Sequence, residues 1–273
     1  MKLRLFRRVV LALAVIALPL AIWGFWWVPQ QLVSREVRLA LPCWGARPLR
    51  VAVVSDLHVG SPFITIEKVR AIVARINAGR PDIIVLLGDF VVTSMIGSKF
   101  VPPETIAAEL AHLRAPHGVY AILGNHDRWL GKRRVTKSLR SASINVIDDT
   151  AVQIGEFWLV GVSDFREGPH DVKGALKGVT SSAPVIVITH NPDVFPLIPA
   201  RVCLTLAGHT HGGQVAIPLV GRLIVPSRYG QRYAIGHIHE KGRDLFVTSG
   251  VGTSIIPVRF RVPPEIVFLE ITR

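Results

Sequence analysis

Hydrophobic and polar positions divide the 273-residue chain into two regimes. Residues 9–29, VVLALAVIALPLAIWGFWWVP, carry no charge, and about 20 consecutive apolar residues is the length a helix needs to cross a bilayer. Further along, the apolar runs are short and each stops at a polar cluster. Residues 49–55 (LRVAVVS), 83–87 (IIVLL), 119–123, 184–189 (PVIVIT) and 202–207 read as buried strands, because such brief runs are too short for buried helices. Between the first two, Ile66, Val69, Ile72, Val73 and Ile76 recur at helical spacing, and Gly79-Arg80-Pro81 closes that helix. A second helical stretch covers about 104–113, followed by a turn at 116–118. In the second half, 151–154 and 157–162 flank Gly155-Glu156, a hairpin signal. The tail, 245–271, offers at least two more strands broken by Gly and Pro. Early alternation of helix and strand, then mostly strands, predicts an α/β domain with two packed sheets and helices outside.

The simplest division is a membrane anchor over 1–29, a connector over 30–48 and one folded domain over 49–273. Lys2, Arg4, Arg7 and Arg8 precede the apolar run with no acidic residue, so the positive-inside bias predicts a cytoplasmic N-terminus and an exported domain. Trp23, Trp26 and Trp27 gather at the far end, where amphipathic rings suit the membrane–water interface. A cleaved signal peptide is the alternative. Bulky Trp and Phe stand where a small-residue cleavage site would fall, which favours an uncleaved anchor.

Net charge sharpens this picture a little. It is +13 overall, and the four basic residues before the run leave +9 on the rest. That excess would suit anionic lipid head groups or anionic substrates, or serve solubility alone. No dense Lys/Arg run is interleaved with aromatics, so nucleic acid is not an expected partner. Cys43 and Cys203 are the two cysteines. Without a C-x-x-C they suggest neither zinc nor dithiol redox chemistry, and they are read as unpaired.

The polar clusters that end the strands carry the candidate chemistry. In order they are Asp56-x-His58, Gly88-Asp89, Gly124-Asn125-His126-Asp127, His190 and Gly208-His209-x-His211. Each short motif is common by itself. Their joint order is specific, since side chains at the ends of apolar strands converge on one edge of an α/β fold. In extended segments D-x-H and H-x-H put both side chains on one face. The all N/O donor set suits Mn²⁺, Fe or Zn²⁺ rather than thiolate-selected metals.

The blocks VVSDLH, LLGDF, LGNHD, ITHNPD and LAGHTHGGQ resemble those of calcineurin-like metallophosphoesterases, from about residue 49 to the C-terminus. The N-terminal run, GHTHGGQ, PSRYGQRYAIG and VTSGVGTS resemble a membrane-anchored bacterial subgroup. The resemblance implies a four-layer α/β/β/α sandwich, two divalent metal ions and hydrolysis of a phosphoester or pyrophosphate. Substrates associated with the subgroup are UDP-2,3-diacylglucosamine, in lipid A synthesis, or phosphodiesters in general. By the same resemblance Asp89 bridges the metals, Asp56, His58 and His211 complete one, and Asn125, His190 and His209 complete the other. Two ions ~3.5–4 Å apart can bind both oxygens of a phosphoryl group. His126 then faces the substrate, protonating the leaving oxygen or stabilising charge, and Asp127 orients its imidazole.

Weaker candidates for contacts to phosphate or a head group are Arg128 and Trp129, and Arg228, Tyr229 and Gln231 in a Gly/Pro-flanked loop. His237-x-His239 has the ligand spacing but reads as an exposed strand edge. The expected protein is thus a single-pass enzyme of a bacterial inner membrane, its domain on the periplasmic side, acting on a phosphate-containing small molecule or lipid. That orientation sits poorly with a nucleotide-linked lipid precursor, which is expected in the cytoplasm. Broad phosphodiesterase or nuclease action is the rival enzymatic reading. A non-catalytic metal-binding scaffold is a further alternative, though such proteins tend to lose a ligand or the catalytic histidine.

Overall fold

The computed structural model describes residues 2–273. Lys2–Ile22 is α-helical and its path continues through a π-helical turn, Trp23–Trp27, to Gln30; together they form α1. Apolar side chains along α1, such as Leu5, Leu11 and Leu18, stand exposed rather than packed on the protein. Contact with the domain is made at the C-terminal end. Arg259 N donates to Gly24 O at 2.9 Å, and Trp23 packs edge-on to Phe260 with ring centroids 4.9 Å apart.

Two six-stranded sheets form the domain. The first runs β1 (Val33–Ala40), β14 (Glu265–Thr272), β2 (Leu49–Val54), β3 (Ile83–Leu86), β4 (Val119–Ala121) and β5 (Asn145–Val146). Within it β2 to β5 are mutually parallel and β14 is antiparallel to β2. The second runs β12 (Gly236–Glu240), β13 (Arg243–Val247), β9 (Leu204–Ala207), β8 (Val185–Thr189), β7 (Phe157–Val162) and β6 (Ala151–Ile154). Its middle strands β13, β9, β8 and β7 are parallel. A short hairpin, β10 (Ala216–Ile217) with β11 (Gly221–Arg222), stands apart.

Three apolar layers hold four layers of structure together. Ala52, Ile84, Leu86 and Phe268 pack against Val69, Ile72 and Ile76 of α2 (Ile66–Ala78), with α3 (Pro103–Leu110) beside it. Val51, Val53, Val85 and Leu269 face Leu159, Ile186 and Leu206 of the other sheet. Val160, Val187 and Leu245 pack under Phe195 of the Pro192–Leu197 turn and Ala175 of α5 (Val172–Leu176). Successive residues of a strand point to opposite faces, and here both faces are covered. That is why the strands read as unbroken apolar runs. The expected four-layer α/β/β/α sandwich is the observed fold.

The structure departs from the sequence reading in three places. The stretch read as connector contains β1, paired parallel with β14 from Val33↔Glu265 to Ala40↔Thr272. Its sequence, VSREVRLA, hides the strand because charges occupy an exposed edge, and Arg38–Glu270 at 2.9 Å and Arg35–Glu265 at 3.7 Å tie it across. α4 (Asn125–Ser141) also went unread, since its polar sequence buries little beyond Val135 and Leu139 after its first turn. Finally, Cys43 and Cys203 are not free: they form a disulfide with Cα atoms 5.6 Å apart. The entrances of β2 and β9 lie at the same end of facing sheets, so 160 intervening residues do not separate the thiols in space.

Candidate metal centre

β2, β3 and β4 of one sheet and β8 and β9 of the other deliver their C-terminal loops to one edge of the sandwich. There the chain turns sharply. Asp56, His58, Asp89, His209 and His211 all have positive φ, between 44° and 67°. Left-handed backbone at a non-glycine residue costs roughly 1–3 kcal/mol and is kept where surroundings over-determine it. The surroundings are backbone contacts between loops: Asp56 N donates to Gly88 O at 3.0 Å and His58 N to Asp89 O at 2.9 Å. Gly88 and Gly124 let two of these turns abut, because a Cβ on either would collide with the other turn.

The side chains form two overlapping groups of donor atoms. In the first, Asp56 Oδ1 lies 3.5 Å from His211 Nε2 and 3.9 Å from His58 Nε2. In the second, His190 Nε2 lies 3.2 Å from Asn125 Oδ1 and 3.1 Å from His209 Nδ1. Asp89 Oδ2 belongs to both, 3.5 Å from His58 Nε2 and 3.3 Å from His190 Nε2. All seven sequence-predicted ligands therefore meet, and Asp89 stands between the groups.

The chemistry of the donors fits a divalent cation. His190 Nδ1 is 2.7 Å from Leu87 O and His58 Nδ1 is 3.3 Å from Val91 O. A carbonyl only accepts, so in the neutral rings both protons sit on Nδ1 and both Nε2 lone pairs aim at Asp89. Asp56 Oδ1 and His58 Nε2 are buried with no hydrogen-bond partner, an unfavourable state for polar atoms unless a cation is held. Burial pushes His58 and His211 down to about 3, keeping them neutral, the form that binds metal. Burial also opposes charge on His190, but the Asp89 carboxylate overrides it and raises the imidazole well above its ordinary value. The cluster's demand for positive charge is thus concentrated beside Asp89.

His126 borders the cluster, within 4.8 Å of donor atoms of His58 and Asp89. Thr93 holds it: Thr93 N donates to His126 Nδ1 at 3.3 Å, with Thr93 Oγ1 at 2.7 Å. A backbone N–H only donates, so the neutral ring carries its proton on Nε2. Burial lowers the proton affinity of His126 against the pull of Asp89, which favours that neutral form. The indole of Trp129, about half-exposed, packs on the imidazole with centroids 4.7 Å apart.

Asp127 does not orient His126. Its Oδ2 accepts from Asp89 N at 2.7 Å and Gly124 N at 3.0 Å, and its Oδ1 from Phe90 N at 2.9 Å and Val91 N at 3.2 Å. Burial and the nearby Asp89 push this carboxyl up to about 7, yet all four neighbours are donors that carboxylate oxygens satisfy best. Asp127 is a buried clamp joining the Asp89 and Asn125 turns.

The weaker candidates fare differently. The Arg128 guanidinium pairs with the buried Asp148, which also meets Lys132 at 3.7 Å and accepts from Leu123 N at 3.0 Å, so its charge is already paired within the protein. Gln231 Oε1 accepts from Arg222 N at 2.9 Å and supports β11 instead. Arg228 lies over the Phe165 ring at 4.7 Å, with its N–H held by Asp193 Oδ2 at 2.9 Å. Tyr229 packs on Tyr233. His237 and His239 both pair with Asp244 on the surface of β12, away from metal chemistry.

Two features had no local signal in sequence. Thr93 is one. Arg259 is the other: fully buried, it donates to Ser249 O at 2.8 Å, Gly250 O at 3.1 Å, Gly252 O at 3.1 Å and Val262 O at 3.1 Å. It thereby holds the loop whose Gly252 N donates to Asp56 O at 2.6 Å. Burial lowers Arg259 to about 10, with Asp56 and Glu265 opposing, so it stays charged at neutral pH.

Comparison with known proteins agrees with this geometry. A profile of calcineurin-like phosphoesterases matches residues 49–241, a span that contains every ligand candidate. Phosphodiesterase YaeI of Escherichia coli (strain K12) is 33% identical over 242 residues, covering 86% of each chain. The uncharacterized metallophosphoesterase YkuE of Bacillus subtilis (strain 168) is 29% identical over 248 residues, covering 86% of this chain and 83% of its own. A transmembrane protein with metallophosphoesterase domain from Danio rerio is 28% identical over 282 residues, covering 96% of this chain and 62% of its own. With its Asp/His cluster at the ends of both sheets, the chain belongs to the calcineurin-like phosphoesterase family, as a metal-dependent phosphoester hydrolase.

Proposed function

We propose that the protein is a membrane-anchored phosphodiesterase that uses two divalent cations, Mn²⁺, Fe or Zn²⁺, and acts on a lipid-linked phosphodiester or pyrophosphate. One observation carries the reading: Asp89 Oδ2 lies within 3.5 Å of both His58 Nε2 and His190 Nε2, so one carboxylate serves two donor groups. A cation pair in such a site supplies Lewis acidity to the phosphoryl group and lowers the pKa of a nucleophilic water. The chain's own residues do the rest. Asp89 Oδ1 accepts from the His126 backbone N–H at 2.9 Å and ties that turn to the cluster, while Thr93 holds the ring. His126 then offers Nε2–H to a phosphoryl oxygen gaining charge, or to the departing oxygen. Trp129 packs against that ring at a tilt of 52°.

Support for a phosphodiester comes from the relative named a phosphodiesterase. Support for anchoring comes from α1, whose described apolar side chains are mostly exposed, and from the relative named a transmembrane protein. The basic N-terminus favours a domain on the periplasmic side of a bacterial inner membrane. The Cys43–Cys203 bond suits the same, oxidising, side. There a lipid phosphodiester is a better match than UDP-2,3-diacylglucosamine, which is expected in the cytoplasm.

The test is hydrolysis of bis-p-nitrophenyl phosphate by full-length protein loaded with Mn²⁺. Activity should vanish in Asp89→Asn, and a folded, metal-loaded Asp89→Asn protein with full activity would sink the bridging role. Reporter fusions at the C-terminus check the orientation; a cytoplasmic signal reverses it.

A further inference from the structure

Beside the cluster lies a groove of about 310 Å³ between residues 213–226 and 254–258. Thr210 and His211 line one end, and the walls are Val215, Leu223, Ile224, Ile255, Ile256 and Val258. The volume is near the lower limit of ligand sites, ~300–1,000 Å³, enough for a chain segment rather than a whole lipid. Two of its polar side chains are already bonded to backbone. Thr210 Oγ1 donates to Ala234 O at 2.6 Å, while the Gln214 amide accepts from Ser254 N at 2.5 Å and donates to Ile256 O at 3.3 Å. A peptide backbone would find few partners there; a hydrocarbon needs none.

Position decides the occupant. One end of the groove is His211, whose Nε2 is 3.5 Å from Asp56 Oδ1. The other is Val258, whose side chain would lie 3.6 Å from a Cβ on Gly24, beside the Arg259–Gly24 hydrogen bond. The groove therefore borders both a residue of the metal cluster and the end of α1. Its rim is apolar and wet: Leu223 is 65% exposed, Ile224 78% exposed and Ile255 68% exposed. Leu219 and Val220 tip the neighbouring β10–β11 hairpin, with Arg261 beside them, a cation suited to anionic head groups; Arg222 Nε is held by Gly212 O at 2.8 Å. Contiguous exposed apolar surface of this kind marks a partner site, and the adjoining α1 makes a bilayer the partner.

We propose that the groove receives an acyl chain of the substrate, entering from the bilayer that holds α1, while the phosphoester lies at the metal cluster. The placement of the phosphoester rests on the phosphodiesterase reading above; the placement of the chain does not.

The experiment has two arms, both on full-length protein in lipid nanodiscs loaded with Mn²⁺. In the first, hexadecyl phosphate bearing a diazirine at its chain end is photolysed and the labelled peptides are mapped. Label within 213–226 and 254–258, displaced by unlabelled hexadecyl phosphate but not by inorganic phosphate, is expected. Label confined to α1 or to other surfaces overturns the proposal. In the second arm, kcat/KM is measured for alkyl p-nitrophenyl phosphates below their micelle concentrations. It should rise about fourfold per methylene over the first few carbons. Ile224→Asp, at an exposed position that tolerates charge, should flatten that slope, while Leu197→Asp, outside the groove, should not. Hydrolysis with no chain-length dependence overturns the groove and spares the phosphodiesterase reading. Groove labelling by a protein that hydrolyses no phosphodiester with any of the three metals keeps the groove and sinks that reading.

Discussion

In an Asp127→Asn protein one carboxylate oxygen becomes an NH₂ group inside a pocket lined by N–H donors. The carboxylate accepts from Asp89 N, Phe90 N, Val91 N and Gly124 N, two bonds to each oxygen, and the side chain is fully buried. Hydrogen bonds to a charged acceptor contribute roughly 1.5–3 kcal/mol each. Four would sum to about 6–12 kcal/mol, an upper bound because neighbouring bonds are not additive. Burying the charge costs several kcal/mol in the opposite direction, so removing the carboxylate should cost a net loss of about 3–5 kcal/mol. Asn keeps one oxygen but turns two donors against two others, so about 3 kcal/mol is expected, close to the loss for Ala. For a domain of this size that lowers Tm by roughly 6–12 °C. Thermal melts and urea titrations of the full chain, with metal content measured in parallel, check it. Because Asp127 anchors Asp89, metal affinity should fall with stability. An Asp127→Asn protein with wild-type Tm and metal content but a reduced kcat would refute the clamp and restore a role through His126.

Three other outcomes follow from the same geometry. His126→Ala should lose roughly 10²–10⁴-fold in kcat with metal content unchanged; loss of metal by mass spectrometry would instead place His126 among the ligands. Arg128→Ala leaves the buried Asp148 with Lys132, 3.7 Å away, as its remaining cation and should destabilise by about 1–3 kcal/mol in urea; unchanged stability with a raised KM would revive a substrate contact. Cys43→Ser opens a link spanning 160 residues and should cost about 2–5 kcal/mol. Two titratable thiols in unreduced wild-type protein would contradict that bond.

The apolar runs at 49–55, 83–87, 157–162 and 185–189 are legible as strands because both faces of each are buried, and a run of uninterrupted apolar residues is a local property. The polar residues after them are legible as ligands for the same reason: a donor at the end of a buried strand has few other uses, and five such ends recur in order. The 9–29 run needs only its length and lack of charge. β1 escaped notice because an edge strand with one wet face keeps its charges, and α4 because it packs by few apolar positions.

Other assignments depend on residues far apart in the chain. Asp127 follows His126 in sequence, yet its oxygens answer to N–H groups near residue 90, so proximity suggested the wrong partner. Arg128 looked available until Asp148 closed on it, and Thr93 and Arg259 carry no motif at all. Cys43 and Cys203 meet because two strand entrances face each other across the sandwich. Residue type and short spacing alone mark the fully buried strands and the side chains able to bind metal, because both are local properties of the chain. Tertiary structure alone decided that Asp89 lies between two donor groups and that a groove borders both His211 and α1. Those facts are distances between segments brought together by packing, and no local pattern encodes them.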